Sequence, residues 1–234
     1  MTLGIMQPYF FPYLGYFQLI NATDEFVVYD NIEFAKKGWI NRNRVLVNGK
    51  DAYITLPLKK DSDFLEVKDR YLAESWEGDR KKILNRITES YRKAPEFKNV
   101  YPLIEKCILF EDFNLFIFIL NSLKEINDYL EIQTPLVVSS TIEIDHTLKG
   151  EKKVLEICKA RKATQYLNPI GGMDFYSKSN FSNEGIELHF LKANEFSYRQ
   201  FNNEFVPSLS IIDVMMFNSK EEIRKHMNSS YSVL

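Results

Sequence analysis

The 234-residue chain carries 30 Lys and Arg against 32 Asp and Glu, a net charge of −2, so no global field draws it to nucleic acid or anionic lipid. It has no stretch long enough to span a membrane and no basic-then-apolar leader, and its two cysteines, Cys107 and Cys158, lie in apolar helical contexts that suit reduced core residues. The expected setting is reducing and cytoplasmic, without membrane insertion, and the 13 Tyr and 18 Phe predict a large core with an aromatic stacking or interface surface.

In chain order, Leu3 to Met6 reads as a short strand, broken at Gln7-Pro8. The run through Pro12 and Gly15 then resumes as a helix with Leu14, Phe17, Leu19 and Ile20 at helical spacing. Glu25 to Asp30 is β-branched and aromatic, a second strand, so the opening is a βαβ unit with a right-handed crossover. Arg44 to Asn48, the Asn48-Gly49 turn and Ala52 to Pro57 predict a β-hairpin. Residues 60–75 carry no clear pattern. Helices follow over Asp79 to Ala94 (stopped by Pro95), Val100 to Phe110 and Phe113 to Leu130, and Leu136 to Ser140 is the third strand. The α/β rhythm returns with a helix from Gly150 to Lys162 and a strand from Gln165 to Asn168. A short helix around Asp174 to Asn183 and a last sheet strand from Ile186 to Leu191 come next. Helices over Ser210 to Phe217 and Ser219 to Met227 complete the pattern. These elements predict an α/β fold: an open, mostly parallel, Rossmann-like three-layer sheet with a helical subdomain and a β-hairpin insertion. Residues 1–234 are expected to form one domain, with the hairpin (44–58) and the helices (77–131) inserted between strands two and three.

Parallel strands bring their carboxyl ends to one edge, where ligands of open α/β sheets bind. Three loops are expected there. The first holds Gln7, Tyr9, Tyr13, Tyr16 and Gln18, with Gly15 at a helix start where a phosphate could approach backbone amides. A Pro-rich aromatic turn in the core is the plain alternative. The second, Asn31 to Arg44, sets Lys36, Lys37, Arg42 and Arg44 among Trp39, Asn41 and Asn43, a composition suited to a diphosphate clamp or to a solvated turn. The third holds Asn168, Gly171, Gly172 and Lys178. As proton acceptors the candidates are Asp30, at the end of strand two, and His146, in the loop after strand three. No His/Cys/Asp spacing resembles a zinc site, and no nucleophile-elbow or Walker motif is present, so no metal ligand is assigned.

Tyr13-Leu-Gly-Tyr16 is similar in placement to the His-x-Gly-His loop of nucleotidylyltransferases and amino-acid-activating ligases, with tyrosines where those enzymes carry histidines. More extensively, Met6 to Ile20, Phe26 to Asp30, Lys37 to Arg44, Tyr166 to Gly172 and Leu209 to Val214 resemble blocks of the WbqC-like family from one end of the chain to the other. The resemblance implies a place in bacterial O-antigen or other surface-polysaccharide (lipopolysaccharide) biosynthesis, and transfer of an aminoacyl (glycyl) or other acyl group to a nucleotide-linked amino sugar. It leaves open a nucleotidylyltransferase-like enzyme and a non-catalytic nucleotide-sugar-binding or scaffold protein. The cofactor is unassigned: ATP or a nucleotide-sugar substrate fits the loops, with Mg2+ if a diphosphate binds. A homodimer stays open as well.

Overall fold

Strand β1 (Thr2–Met6) is the axis of a six-stranded sheet, described over residues 1–234 in a computed structural model. On one side it pairs in parallel with β2 (Glu25–Val28), which pairs with β5 (Leu136–Val138). On the other it pairs with β6 (Gln165–Pro169), which pairs with β7 (Glu187–Ala193). The order of these parallel strands, β5-β2-β1-β6-β7, therefore reverses direction between β1 and β6, as in doubly wound folds. The sixth strand, β8 (Tyr231–Val233), runs antiparallel along β7 and corrects the expectation that Ile186 to Leu191 is the last sheet strand. Three residues with mostly exposed side chains carry no periodic signal.

Alternating side chains divide the sheet between two apolar clusters. Leu3, Ile5 and Val27 point to α5 (Gly150–Ala160) and α6 (Lys178–Asn183), meeting Val154, Ile157, Cys158 and Phe181. Phe26 and Val28 point the other way, into a cluster of 45 buried residues shared with α1 (Leu14–Asn21), α7 (Ile211–Phe217) and α8 (Lys220–Ser229). Phe17 and Phe26 are wholly buried there, each stabilising the fold by about 1.5–3 kcal/mol relative to exposure. Helices thus cover both faces of the sheet, and the larger cluster continues into α2 (Trp76–Tyr91), α3 (Phe97–Ile108) and α4 (Leu115–Leu130). The Asn114 side chain caps α4 by accepting from Ile117 N at 3.0 Å.

Strands β3 (Arg42–Val47) and β4 (Lys50–Thr55) form a separate two-stranded sheet, turned at Asn48-Gly49 with φ of 51° and 76° as a type I′ hairpin demands. The hairpin begins two positions earlier than its apolar pattern indicates, so Arg42 and Asn43 stand on a strand and not in a loop. Residues 60–75 hold a single-turn helix, Val67–Asp69, and isolated bridges such as Leu58 to Leu72. The stretch expected to form one helix around Asp174 to Asn183 is split between a 3-10 segment, Ile170–Phe175, and α6. No helix is long and apolar enough to cross a membrane.

Candidate functional site

The opening loop between β1 and α1 is held by its own carbonyls. Asn43 Nδ2 donates to Phe10 O at 3.0 Å and Phe11 O at 2.9 Å, and Ser210 Oγ donates to Phe11 O at 2.7 Å. Phe10 N donates to Trp39 O at 3.1 Å and Ile211 N to Pro12 O at 2.8 Å. Phe11 sits at φ 43°, a left-handed conformation that costs a non-glycine residue about 1–2 kcal/mol. The wholly buried ring and these bonds hold it there.

So pinned, the loop forms one wall of two cavities at the carboxyl ends of β1, β6 and β7. The larger, about 480 Å³, is bounded by Tyr13, Gln18, Ile170, Glu195, Phe196 and Tyr198 among others. The smaller, about 310 Å³, is bounded by Tyr9, Pro12, Tyr13, Trp39, Asn43, Arg44 and Ser208. Tyr13 and Ser208 belong to both, so the two are compartments of one cleft beside the point where the strand order reverses. Trp39 stacks on Tyr53 with ring centroids 6.3 Å apart, Arg44 lies 5.7 Å from the Trp39 ring, and Arg42 lies 4.7 Å from the Tyr53 ring. Arg44 donates to Ser208 O at 3.2 Å and pairs with Asp51 at 3.3 Å, while its buried Nε has no partner. Gln18, 1% exposed, borders the larger cavity and donates to the carbonyls of His226 and Ser230 at 3.1 and 3.0 Å, while its buried Oε1 is unpartnered. The cleft therefore offers flat aromatic faces and a guanidinium. Burial pushes the Tyr9 phenol up to about 12, with Tyr13 adding to the shift, so both walls present O–H donors at neutral pH.

Several residues expected at this edge have other tasks. Gly15 is not an open phosphate cradle: an added Cβ would stand 2.3 Å from the Tyr13 ring, which covers it. Tyr16 is 2% exposed and donates to Gln7 O at 2.9 Å, so one of the two tyrosines in the histidine positions is a core strut. Gly172 makes room for the buried Asn168 amide, whose nitrogen lies 1.9 Å from where a Cβ would be; Gly171 has open space around it. From this third loop only Ile170 reaches the cleft, and Lys178 stands on α6, its Nζ 5.9 Å from the Phe190 ring on the opposite face of the sheet. The basic residues do not converge either. Lys36 pairs with Asp63 at 2.6 Å, Arg42 donates to the carbonyls of Lys37 and Gly38, and Asn41 donates to Leu56 O at 2.9 Å.

Asp30 is 1% exposed and fully engaged. Its Oδ1 accepts from Ser139 Oγ at 2.8 Å and Ser140 N at 2.9 Å, and its Oδ2 accepts from Ser140 Oγ at 2.6 Å. It clamps the ends of β2 and β5 together, a task that replaces the expected one of proton acceptor. His146 is exposed, and its Nδ1 accepts from Asn31 Nδ2 at 2.8 Å, so the neutral ring carries its proton on Nε2. Neither residue lines the cleft; Glu195 is the carboxylate that does.

Sequence reasoning passed over Asp213. It is wholly buried on α7, behind the cleft wall, and takes three donors: Tyr91 Oη at 2.8 Å, Tyr198 Oη at 2.6 Å and Gln200 Nε2 at 2.7 Å. Burial raises its pKa despite these bonds. A lone acid in the apolar run Ser210 to Phe217 is the signal that would have found it. No group of three or more His, Cys, Asp or Glu is arranged to hold a metal ion.

Compared with known proteins, the sequence profile of the WbqC-like protein family matches residues 7–225. An uncharacterized protein of Mycobacterium tuberculosis, Rv1507c, is 26% identical over 219 residues, covering 92% of this chain and 93% of its own length. No solved structure matches.

Proposed function

Because the chain belongs to the WbqC-like protein family, we propose that the Tyr13 cleft binds a nucleotide-linked amino sugar and that the protein transfers an aminoacyl or other acyl group to the sugar's amine. The observation that carries this reading is the pair of compartments meeting at Tyr13 and Ser208 beside the strand-order reversal. In it the base lies against Trp39 and Tyr9, Arg44 meets the diphosphate, and the sugar enters the larger compartment. The amine nitrogen attacks the acyl carbonyl of an activated donor. The new C–N bond forms, the bond to the donor's leaving group breaks, and Glu195 takes the proton the nitrogen sheds. If the association with bacterial surface-polysaccharide biosynthesis that the family resemblance implies holds for this chain, the acceptor is an O-antigen precursor.

Calorimetric titration with nucleotides and nucleotide-linked sugars tests the binding. Saturable binding of at least one is expected, weakened by about 1–3 kcal/mol in Trp39→Ala; failure of the whole panel to bind would sink the proposal. Turnover is tested separately: Glu195→Gln is expected to lower kcat about 10²–10⁴-fold while binding persists. The second reading, a non-catalytic nucleotide-sugar-binding protein, is favoured by the commitment of Asp30 to the strand ends. It predicts the same binding with no acyl transfer from any donor.

A further inference from the structure

The loop from Phe34 to Asn41 has a second side. Trp39 faces the cleft, whereas Phe34, Lys36 and Asn41 border another cavity of about 240 Å³ together with Leu58, Lys59, Lys60, Asp61, Asp63 and Arg70. Arg70 is its unusual member. The residue is 4% exposed, its Nε is buried without a partner, and it takes part in no salt bridge of the chain. The Phe34 ring backs the guanidinium, with Cζ 4.7 Å from the ring centroid. A guanidinium N–H withdrawn from water without a hydrogen-bonding partner is costly. Nor is its position accidental. Arg70 N donates to Val67 O at 3.2 Å and its carbonyl accepts from Leu115 N at 2.9 Å, so the backbone at this point is anchored to the start of α4.

The surroundings are electropositive. Four cations, Lys36, Lys59, Lys60 and Arg70, border the cavity against two carboxylates, Asp61 and Asp63. Asp63 is already taken by Lys36 at 2.6 Å. That hydrogen bond, and then the fields of Lys36 and Arg70, hold the exposed Asp63 carboxyl below its usual range. Lys59 and Lys60 have no ion-pair partner in the chain.

We propose that this cavity is a second site, separate from the cleft, for a phosphate-type oxyanion, with the guanidinium of Arg70 as its anchor and Lys59 and Lys60 at its mouth. A planar donor edge with its back covered by an aromatic ring suits bidentate contact with two oxygens, and flexible ammonium groups add charge without fixing geometry. The anion is a free phosphate or diphosphate, or the phosphate end of a larger molecule.

Titration of inorganic pyrophosphate into the whole protein at constant ionic strength tests the site, with a nucleoside diphosphate as a parallel arm. Saturable binding is expected, at least about tenfold weaker in Arg70→Gln, as for loss of a charge-assisted hydrogen bond. Should Arg70→Gln fold poorly, the doubly substituted Lys59→Gln/Lys60→Gln protein, changed only at exposed side chains, is expected to bind several-fold more weakly with a shallower salt dependence. Lys152→Gln, an exposed side chain of α5 that lines neither cavity, is expected to leave pyrophosphate affinity within about twofold, as for a distant independent site. A response to Arg70→Gln in both arms marks the end of a larger molecule, and a response with pyrophosphate alone marks a free anion; either supports the site. Absence of saturable pyrophosphate binding, or binding that answers neither to Arg70 nor to the lysines, overturns it.

Discussion

At the scale of single residues, Tyr13 governs the cleft and Gly15 governs Tyr13. The ring, 39% exposed, rests on the hydrogen atoms of Gly15, and an alanine there would push it outward. Because the obstructing atoms are the far end of a side chain and alanine is the better helix former by about 1 kcal/mol, the fold tolerates the change. Gly15→Ala is therefore expected to shift Tm little while altering nucleotide-sugar affinity several-fold, about 1 kcal/mol, read by thermal unfolding beside calorimetry. The opposite outcome, intact affinity with a large loss of stability, would mean that Tyr13 cannot yield.

At the scale of elements, Asp213 ties four segments into one support behind the cleft. Tyr91 on α2 donates to it and accepts from Leu46 N of β3 at 2.7 Å, and Tyr198 and Gln200 reach it from the loop after β7. Tyr91→Phe strands a buried N–H and a carboxylate oxygen, for an expected loss of about 1–3 kcal/mol by denaturant titration. Leu46→Ala, a cavity mutation, tests packing at the same junction without touching the bond. This support was illegible in the sequence because the partners of Asp213 lie 13 to 122 positions from it and each is an ordinary tyrosine or glutamine in isolation. What was legible rested on local pattern: the strand-to-helix opening, the Asn48-Gly49 hairpin and the long apolar stripe of α4 all stand where periodicity and turn chemistry put them. Tyr9, Tyr13, Trp39 and Arg44 could be picked as candidates because aromatic and cationic side chains are crowded in two loops, and all four line one cavity. Asp30 misled because its position at a strand end is read from sequence, whereas the hydroxyls that occupy it come from Ser139 and Ser140 after another strand. Arg70 was invisible for the same reason, since its burial depends on Phe34 and on the start of α4.

At the scale of the whole molecule, α8 links stability to pH. The imidazole of His226 stacks on Phe196, centroids 3.7 Å apart, and its Nδ1 is 2.8 Å from Ser230 Oγ. Burial lowers its pKa below the ordinary 6.5, with Lys225 adding to the shift and Glu222 opposing it. The unfolded chain thus binds this proton more readily, so stability rises with pH through the window just below 6.5 and is lost as pH falls through it. Tm is expected to drop between pH 7 and pH 5.5, and less steeply in His226→Gln; identical slopes in thermal scans would acquit the histidine. The central place of β1 has a different consequence, for how the fold is reached. Its two neighbours lie far apart along the chain: Glu25 pairs with Leu3, whereas Gln165, the partner of Thr2, is 163 positions away. During synthesis the half-sheet of β5, β2 and β1 can be complete while β1 still offers an unpaired edge in what will become the middle of the sheet. Closing so distant a pair carries a large loop entropy, which slows folding, and the waiting edge is a template for the wrong strand. The strand that anchors the cleft is thus the one most exposed to misassembly before β6 arrives.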